Sequence, residues 1–219
     1  MKQKEIFLQS EGDAWFTRNQ QTLATRKLPD DDPLLREILD IHDSTSRGGG
    51  VKVLEVGCGE GVRLAWLKNN LDADCYGIEP SAQAVAAACA KGLNVQQGTA
   101  DILPFDDQRF DIVIFGFCLY LCDREDLFRI ASAADRVLRA PGWLMILDFF
   151  SPMPCAKTYH HRPSVLSYKM DYRTLFNWHP DYECMIHKMQ HHGKGGFTDE
   201  QDEWMAVSIL RKHHKDLTA

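Results

Sequence analysis

The sequence predicts an α/β fold: a parallel sheet with helices on both faces, closed at the C-terminal end by an antiparallel β-hairpin. Three observations lead there. Apolar runs at residues 51–56, 75–78, 93–97, 110–115 and 143–149 alternate with helix-length stretches, the pattern of strands joined by crossover helices. The first run ends at three alternating glycines, Gly57, Gly59 and Gly61, which suits a tight turn from strand into helix. After residue 150 the alternation stops, and two runs, 182–190 and 204–211, flank a glycine-rich connection, as a hairpin requires.

In chain order, residues 1–32 precede the sheet and form an N-terminal helical cap segment, in which Trp15, Phe16 and Asn19 sit on a short amphipathic helix. Such a helix either caps a pocket or covers a sheet edge with its two aromatic rings, and the sequence leaves both open. Helices are predicted at 33–46, 61–70, 81–91 and 124–138, with Ser81 and Asp123 as amino-terminal caps. Gly48, Gly49 and Gly50 link the first of these to the first strand. The stretch 151–180 is polar and aromatic, and the hairpin connection 191–197 contains His191, His192 and three glycines. There is no internal repeat.

The chain has 219 residues, 44% hydrophobic and 26% charged, enough for one domain with a full core. With 25 basic against 31 acidic residues the net charge is −6, so no global positive field favours a nucleic-acid backbone, and a small-molecule partner is expected. The seven cysteines are scattered without a Cys-x-x-Cys pair, which fits reduced thiols. The amino terminus carries acid early, and no window approaches the roughly 18 apolar residues of a membrane span. A soluble, cytoplasmic protein is expected, its oligomeric state open.

Residues 55–61 read Glu-x-Gly-x-Gly-x-Gly. A dinucleotide fingerprint starting at Gly57 requires glycine at 62, where this chain has Val62, so a ligand without a pyrophosphate fits better. Glu79 ends the second apolar run, where a carboxylate accepts from ribose hydroxyls. Asp101 follows the third, placed to accept from an exocyclic amine while Ile102 covers a flat base. Together these features describe adenosine recognition.

Through Val53 to Gly61, through Glu79, through Asp101 with Leu103, Pro104 and Phe105, and through the run 110–114, the chain resembles the class I S-adenosylmethionine-dependent methyltransferases over roughly residues 33–150. The resemblance implies a Rossmann-like, seven-stranded, mostly parallel sheet ending in the antiparallel hairpin. It assigns residues 33–219 to the methyltransferase domain, with an acceptor lid at about 150–180. The implied cofactor is S-adenosyl-L-methionine, leaving S-adenosyl-L-homocysteine as product. Glu55 would orient the loop and the amino-acid portion of the cofactor, Gly57, Cys58 and Gly59 would approach its methionine moiety, and Glu79 with Pro80 would hold the ribose. Asp101 and Ile102 would frame adenine, and Phe117 would line the site. Trp15 and Arg18 would close over the cofactor, Arg18 on its carboxylate. The Asp-Pro-Pro-Tyr tetrapeptide of some amino-group methyltransferases is missing at 115–118, which removes support for a nucleic-acid adenine acceptor.

For the acceptor, His160 or His161 would take a proton and Tyr168 would stack, with Arg162, Lys169 and Tyr120 as further candidates. Arg63 reads as a solvated helix-surface residue or a second contact to the cofactor carboxylate. No metal is expected: adjacent histidines on a strand point to opposite faces, and Cys118 with Cys122 sits in an apolar stretch where cysteine packs as a small hydrophobe. The expected activity is methyl transfer to oxygen or nitrogen of a small polar metabolite, a sugar or nucleotide-sugar intermediate being the narrower reading. C-methylation of a quinone-type ring and a non-catalytic cofactor-binding partner protein are the alternatives.

Overall fold

The computed structural model describes residues 1–45 and 50–213, without the side chains of 42–45. Ser46, Gly48, Gly49 and His214 lie outside the described residues.

Seven strands form the main sheet: β1 (Lys52–Val56), β2 (Asp74–Glu79), β3 (Asn94–Gln97), β4 (Phe110–Gly116), β5 (Leu138–Phe149), β8 (Tyr182–His191) and β9 (Trp204–Lys212). Their order is β3-β2-β1-β4-β5-β9-β8. β1 pairs in parallel with both β2 and β4, so the crevice where the strand order reverses opens at the C-terminal end of β1, beside the glycine turn. β9 runs antiparallel between β5 and β8. Because Phe149 faces Met205 and His191 faces Trp204 across these ladders, the β8–β9 turn returns to the same edge of the sheet as the glycines.

The helices are α1 (Gln3–Ile6), continuing through a π-turn at Phe7–Glu11 into α2 (Gly12–Ala24), then α3 (Pro33–Thr45), α4 (Val62–Leu71), α5 (Ala82–Ala90) and α6 (Leu127–Val137). Strand residues feed two cores. Leu54, Val56 and Val113 pack with Ile130 and Ala134 of α6 on one face, while Val53, Ile112 and Ile114 pack with Leu34, Leu35 and Ile38 of α3 and Leu64 and Leu67 of α4 on the other. Central strands buried on both faces explain why the sequence shows continuous apolar runs rather than alternation.

Ser81 caps α5 as expected, its hydroxyl accepting from the Ala84 N–H at 3.0 Å. Asp123 does something else. A 3₁₀ turn at Arg124–Asp126 separates it from α6, and its carboxylate accepts from the backbone N–H of Gln3 at 2.9 Å and of Lys4 at 3.0 Å. It thus satisfies the first amides of α1, a helix distant in sequence.

The stretch at about 150–180, expected as an acceptor lid, contains a small separate hairpin, β6 (Cys155–Thr158) with β7 (Leu166–Lys169), and a 3₁₀ turn at Tyr172–Leu175. The hairpin supports the N-terminal helices: Tyr159 and Val165 cluster with Ile6 and Phe7, and the Leu166 N–H donates to the Gln3 side chain at 2.6 Å.

Candidate cofactor and acceptor site

The loop after β1 crosses the end of β2, with the N–H groups of Gly57 and Cys58 donating to the Ile78 carbonyl at 2.8 and 3.3 Å. Gly57 and Gly59 both hold left-handed backbone, φ 77° and 55°. A Cβ at Gly57 would meet the Cys118 Cβ at 2.5 Å, whereas one at Gly59 would meet nothing within 4 Å. Gly57 is therefore required by packing, and Gly59 leaves bare main chain facing a cavity. The buried Glu79 carboxylate steadies that main chain, accepting from the Gly59 N–H and the Ser81 N–H, each at 2.9 Å. Burial raises its pKa against the pull of these two bonds.

Behind the loop lies a buried triad. Arg63, at the start of α4, is only 7% exposed; its guanidinium donates to Asp32 at 2.9 Å and also hydrogen-bonds Glu55. It is neither a solvated surface arginine nor a second hand for a ligand carboxylate, because both of its faces are taken by acids. Asp32 is spent as well, accepting from Leu34 N–H at 2.9 Å and Leu35 N–H at 3.3 Å to cap α3. Burial pushes the Asp32 carboxyl up, but Arg63 and Arg26 outweigh it and hold the pKa below the ordinary value. Glu55 is pushed up to about 7 because burial exceeds the opposing field of Arg63. Its Oε2 is buried with no hydrogen-bond partner.

The glycine loop, Glu55, Arg63 and Glu79 line a cavity of about 900 Å³ at the C-terminal edge of the sheet, within the size range of small-molecule sites. Of the expected cofactor residues, Trp15, Glu55, Gly57, Cys58, Gly59, Glu79, Pro80, Asp101 and Phe117 all line it. Two do not. Arg18 turns to the buried Glu11, 2.5 Å away, with the Tyr159 hydroxyl at 3.4 Å, so its charge is compensated outside the cavity. Ile102 is 66% exposed on the outer surface, since the turn after Asp101 directs its side chain to solvent. Asp101 itself is already bonded, to the Lys4 ammonium and to the Thr99 hydroxyl at 2.7 Å. These bonds hold its pKa below the ordinary value although burial opposes them.

The expected catalytic set is placed elsewhere. His160 and His161 are exposed at the tip of the β6–β7 hairpin, and Tyr168 lies under the Arg124 guanidinium, 4.1 Å from its ring centre. None of the three, and no other residue of 150–180, lines the cavity. The stretch expected as an acceptor lid folds into a separate hairpin that does not line this cavity, because polarity and aromatic content do not reveal which way a hairpin folds. Its place at the cavity is taken by Phe117, Tyr120, Phe149 and His192. The Phe149 ring is 4.9 Å from Tyr120, 5.3 Å from Phe117 and 4.8 Å from His192. The turn that carries Phe117 and Tyr120 is pinned by the buried Asp148, which accepts from the Leu119 N–H and the Phe149 N–H at 2.8 Å each. Tyr120 was legible as a stacking candidate; His192 carried no signal beyond its place in a glycine-rich connection. Among the described residues no group of side chains is arranged to hold a metal ion.

Among solved structures, the chain aligns at a TM-score of 0.68 and 16% identity with a chain of the Haloferax volcanii complex between the Trm112 methyltransferase activator and a methyltransferase, over 95% of this chain and 98% of that one. It also aligns at 0.64 and 16% identity with a Burkholderia thailandensis 1,6-didemethyltoxoflavin-N1-methyltransferase with bound S-adenosylhomocysteine, over 92% and 87%. The family model of the methionine biosynthesis protein MetW matches residues 37–132. A Mycolicibacterium smegmatis fatty-acid O-methyltransferase is 32% identical over 129 residues, covering 55% of this chain and 46% of that protein. A Vibrio vulnificus ubiquinone/menaquinone biosynthesis C-methyltransferase is 34% identical over 112 residues, covering 44% and 42%. The chain thus spans less than half the length of the curated relatives it matches.

The sheet order and the glycine loop give the chain the fold of the class I S-adenosylmethionine-dependent methyltransferases, as in these solved structures, and the relatives it matches in sequence are methyltransferases. The likeness to the MetW family model lies over the stretch from α3 into α6. The methyl donor of the class is S-adenosylmethionine, and two features of this site fit it: the open main chain at Gly59, and the unpartnered Glu55 Oε2, an acceptor awaiting an ammonium donor.

Proposed function

We propose that the protein transfers a methyl group from S-adenosylmethionine to oxygen or nitrogen of a small molecule held in the 900 Å³ cavity. The observation that carries this reading is the convergence on that cavity of an unpartnered buried carboxylate oxygen, Glu55 Oε2, with the open Gly59 main chain and the Glu79 carboxylate. Glu55 would receive the donor's amino group, the backbone of 57–59 its methionine portion, Glu79 its ribose and Asp101 its adenine. When bound, the donor supplies a methyl carbon already activated by a sulfonium, so the protein's task is to align an acceptor lone pair behind it. Lys4, Phe7, Trp15 and Asn19 of the N-terminal helices line the same cavity and would exclude water from it.

The narrower acceptor reading, a sugar or nucleotide-sugar intermediate, loses the support of the 150–180 residues that motivated it. A second reading, C-methylation of a quinone-type ring, is favoured by the aromatic walls and by the likeness to the Vibrio vulnificus enzyme. No helix among the described residues is long and apolar enough to cross a membrane. A cytoplasmic setting belongs to the same proposal, supported by the scattered spacing of the seven cysteines.

Titration calorimetry with S-adenosylmethionine and S-adenosylhomocysteine tests the reading directly. Both are expected to bind, and Glu79→Ala is expected to weaken both by about tenfold or more, as loss of a charged hydrogen-bonding partner does. No heat at millimolar ligand would sink the methyl-transfer function; binding without any methylated product from a broad metabolite extract would favour a non-catalytic partner protein.

A further inference from the structure

We propose that the acceptor is a planar aromatic compound bearing a hydroxyl or ring N–H, held among Phe117, Tyr120 and Phe149, and that its proton passes to the imidazole of His192. The proposal rests on the methyl-transfer reading above and adds to it a substrate class and a base.

The four rings arrive from separate places: Phe117 and Tyr120 after β4, Phe149 at the end of β5 and His192 at the start of the β8–β9 turn. All face the cavity. His192 leans on Phe149 at 4.8 Å and 50°, and meets Phe117 edge-on at 5.3 Å and 82°; Tyr120 meets Phe149 edge-on at 4.9 Å and 73°. Tilted and edge-on clusters of this kind present both faces and edges, which accommodate a further flat ring better than an aliphatic polyol. Backbone bonds fix the main chain that carries the imidazole, the His192 N–H donating to the Glu203 carbonyl at 2.7 Å and the adjacent His191 N–H to the Gly196 carbonyl at 2.9 Å, and the ring itself rests on Phe149 and Phe117.

His192 is open to solvent at the cavity mouth, so a proton it takes has a route to water. Its partial burial lowers its pKa, with His191 and Lys169 acting in the same direction and Glu203 opposing them. Lys194, on the same turn, lines the cavity too and adds positive charge, while Tyr120 on the facing side is held as a neutral phenol by burial. The imidazole is consequently neutral and able to accept at neutral pH.

The chemistry balances. The acceptor O–H or N–H bond gives its proton to an imidazole nitrogen lone pair. The electron pair left on the acceptor forms the new bond to the methyl carbon, and the pair of the broken S–C bond stays on sulfur. One positive charge enters on the sulfonium and one remains on the imidazolium, so the aromatic slot never has to hold an additional net charge.

The test uses the full chain loaded with S-adenosylhomocysteine and four probes: 2-naphthol, 8-hydroxyquinoline, methyl β-D-glucopyranoside and octanoate. Calorimetry is expected to show binding of the two flat probes and not of the glucoside or octanoate, with Phe149→Ala weakening the flat probes by about tenfold. In His192→Gln, binding of S-adenosylhomocysteine and 2-naphthol is expected to persist while turnover of 2-naphthol with S-adenosylmethionine falls by about 100-fold or more and the rise of rate with pH through the histidine range disappears. If His192→Gln fails to bind S-adenosylhomocysteine, His192→Asn is read in its place. Preference for the glucoside or octanoate, flat probes that bind without being methylated, or an unchanged rate and pH profile in the histidine variants would each overturn the proposal. If the wild type does not bind S-adenosylhomocysteine at all, the methyl-transfer reading itself is what fails.

Discussion

Gly57 and Gly59 share a turn and a backbone conformation, yet they answer differently to an added methyl group. Any L-residue at these φ values loses about 1–2 kcal/mol to the left-handed backbone. At Gly57 the new Cβ would also sit 2.5 Å from the Cys118 Cβ, inside van der Waals contact, so the loop or the β4 turn must move. Gly57→Ala is therefore expected to destabilise the fold by about 3 kcal/mol or more, by analogy with overpacked cores. Gly59→Ala should cost only the backbone strain but place its methyl in the cavity, weakening S-adenosylhomocysteine by about tenfold or more. Urea denaturation and calorimetry on the two variants separate these effects, and equal stability losses would refute the contrast. Asp148 makes a second residue-scale case. Burial pushes its carboxyl up to about 7 from an ordinary 3.8, although amides of Phe149, Leu119 and Tyr120 pull the other way. A folded value above the unfolded one means the folded chain holds this proton more tightly, so the stabilisation is full below the ordinary value and is lost as pH rises through about 7. The stability of wild type relative to Asp148→Asn should thus fall by about 2 kcal/mol between roughly pH 5 and pH 8. A difference that stays constant across urea titrations over that range would show that Asp148 does not titrate as described.

Among the elements, those with a local signal were readable and those stabilised from afar were not. The strands at 51–56, 75–78, 110–115 and 204–211 were predicted within about two residues of their true ends, because strands buried on both faces must be continuously apolar, and the exposed edge strand at 182–190 was placed by the glycine-rich connection that follows it. β5 begins at Leu138 rather than 143, and α6 at Leu127 rather than 124; both boundaries depend on tertiary packing. α1 and the following π-turn fall inside the expected N-terminal helical segment but were not legible as elements, since they bury Gln3 and Glu11 and draw their stability from Asp123 and the β6–β7 hairpin. The site divides the same way. The glycines, Glu55, Glu79 and Asp101 mark strand ends in the sequence itself, whereas His192 reaches Phe149 only because β9 inserts between β5 and β8. Lys4 shows what holds the N-terminal helices down: its ammonium bridges Asp101 and Asp126, the latter at 2.8 Å, and both side chains are only 3% exposed. Lys4→Ala leaves Asp101 with Arg129 at 3.6 Å and Asp126 with Lys2 and Arg129 at 3.3 Å each, partners more exposed than Lys4, so the loss is about 1–2 kcal/mol. Hydrogen exchange should accelerate across residues 3–16 while β1, β4 and β5 keep wild-type protection. Acceleration spread evenly over the sheet would show that these helices do not open as a separate unit.

For the molecule as a whole, the Glu55–Arg63–Asp32 triad ties the candidate site to the fold, because its members come from β1, the first turn of α4 and the cap of α3. Gly116 on β4 completes the enclosure: a Cβ there would stand 2.7 Å from the Arg63 guanidinium and 2.9 Å from Glu55. The residue that fixes the glycine loop's acid thus also joins the two helices on that face of the sheet. Arg63→Met keeps much of the volume and removes the charge, leaving two carboxylates that are buried at 3% and 0% exposure. Breaking one partner of a buried ion pair costs about 3–5 kcal/mol, more than the intact pair contributes, because the remaining charge is left uncompensated. The loss should be pH-dependent with a definite sign. Without Arg63 the Glu55 carboxyl shifts further upward and the Asp32 carboxyl rises from its lowered value, so acidification neutralises Glu55 first in the folded chain and the deficit of Arg63→Met relative to wild type shrinks from pH 8 toward pH 5. A triple variant, Asp32→Asn, Glu55→Gln, Arg63→Met, removes every charge at once and is expected to recover part of the stability while binding S-adenosylhomocysteine poorly, since the acceptor oxygen proposed for the amino group now carries no charge. Urea denaturation at the two pH values, with calorimetry on the triple variant, distinguishes the outcomes. If Arg63→Met is as stable as wild type, the triad is not the tie between site and fold; if the triple variant binds normally, Glu55 is not the partner of the donor's amino group.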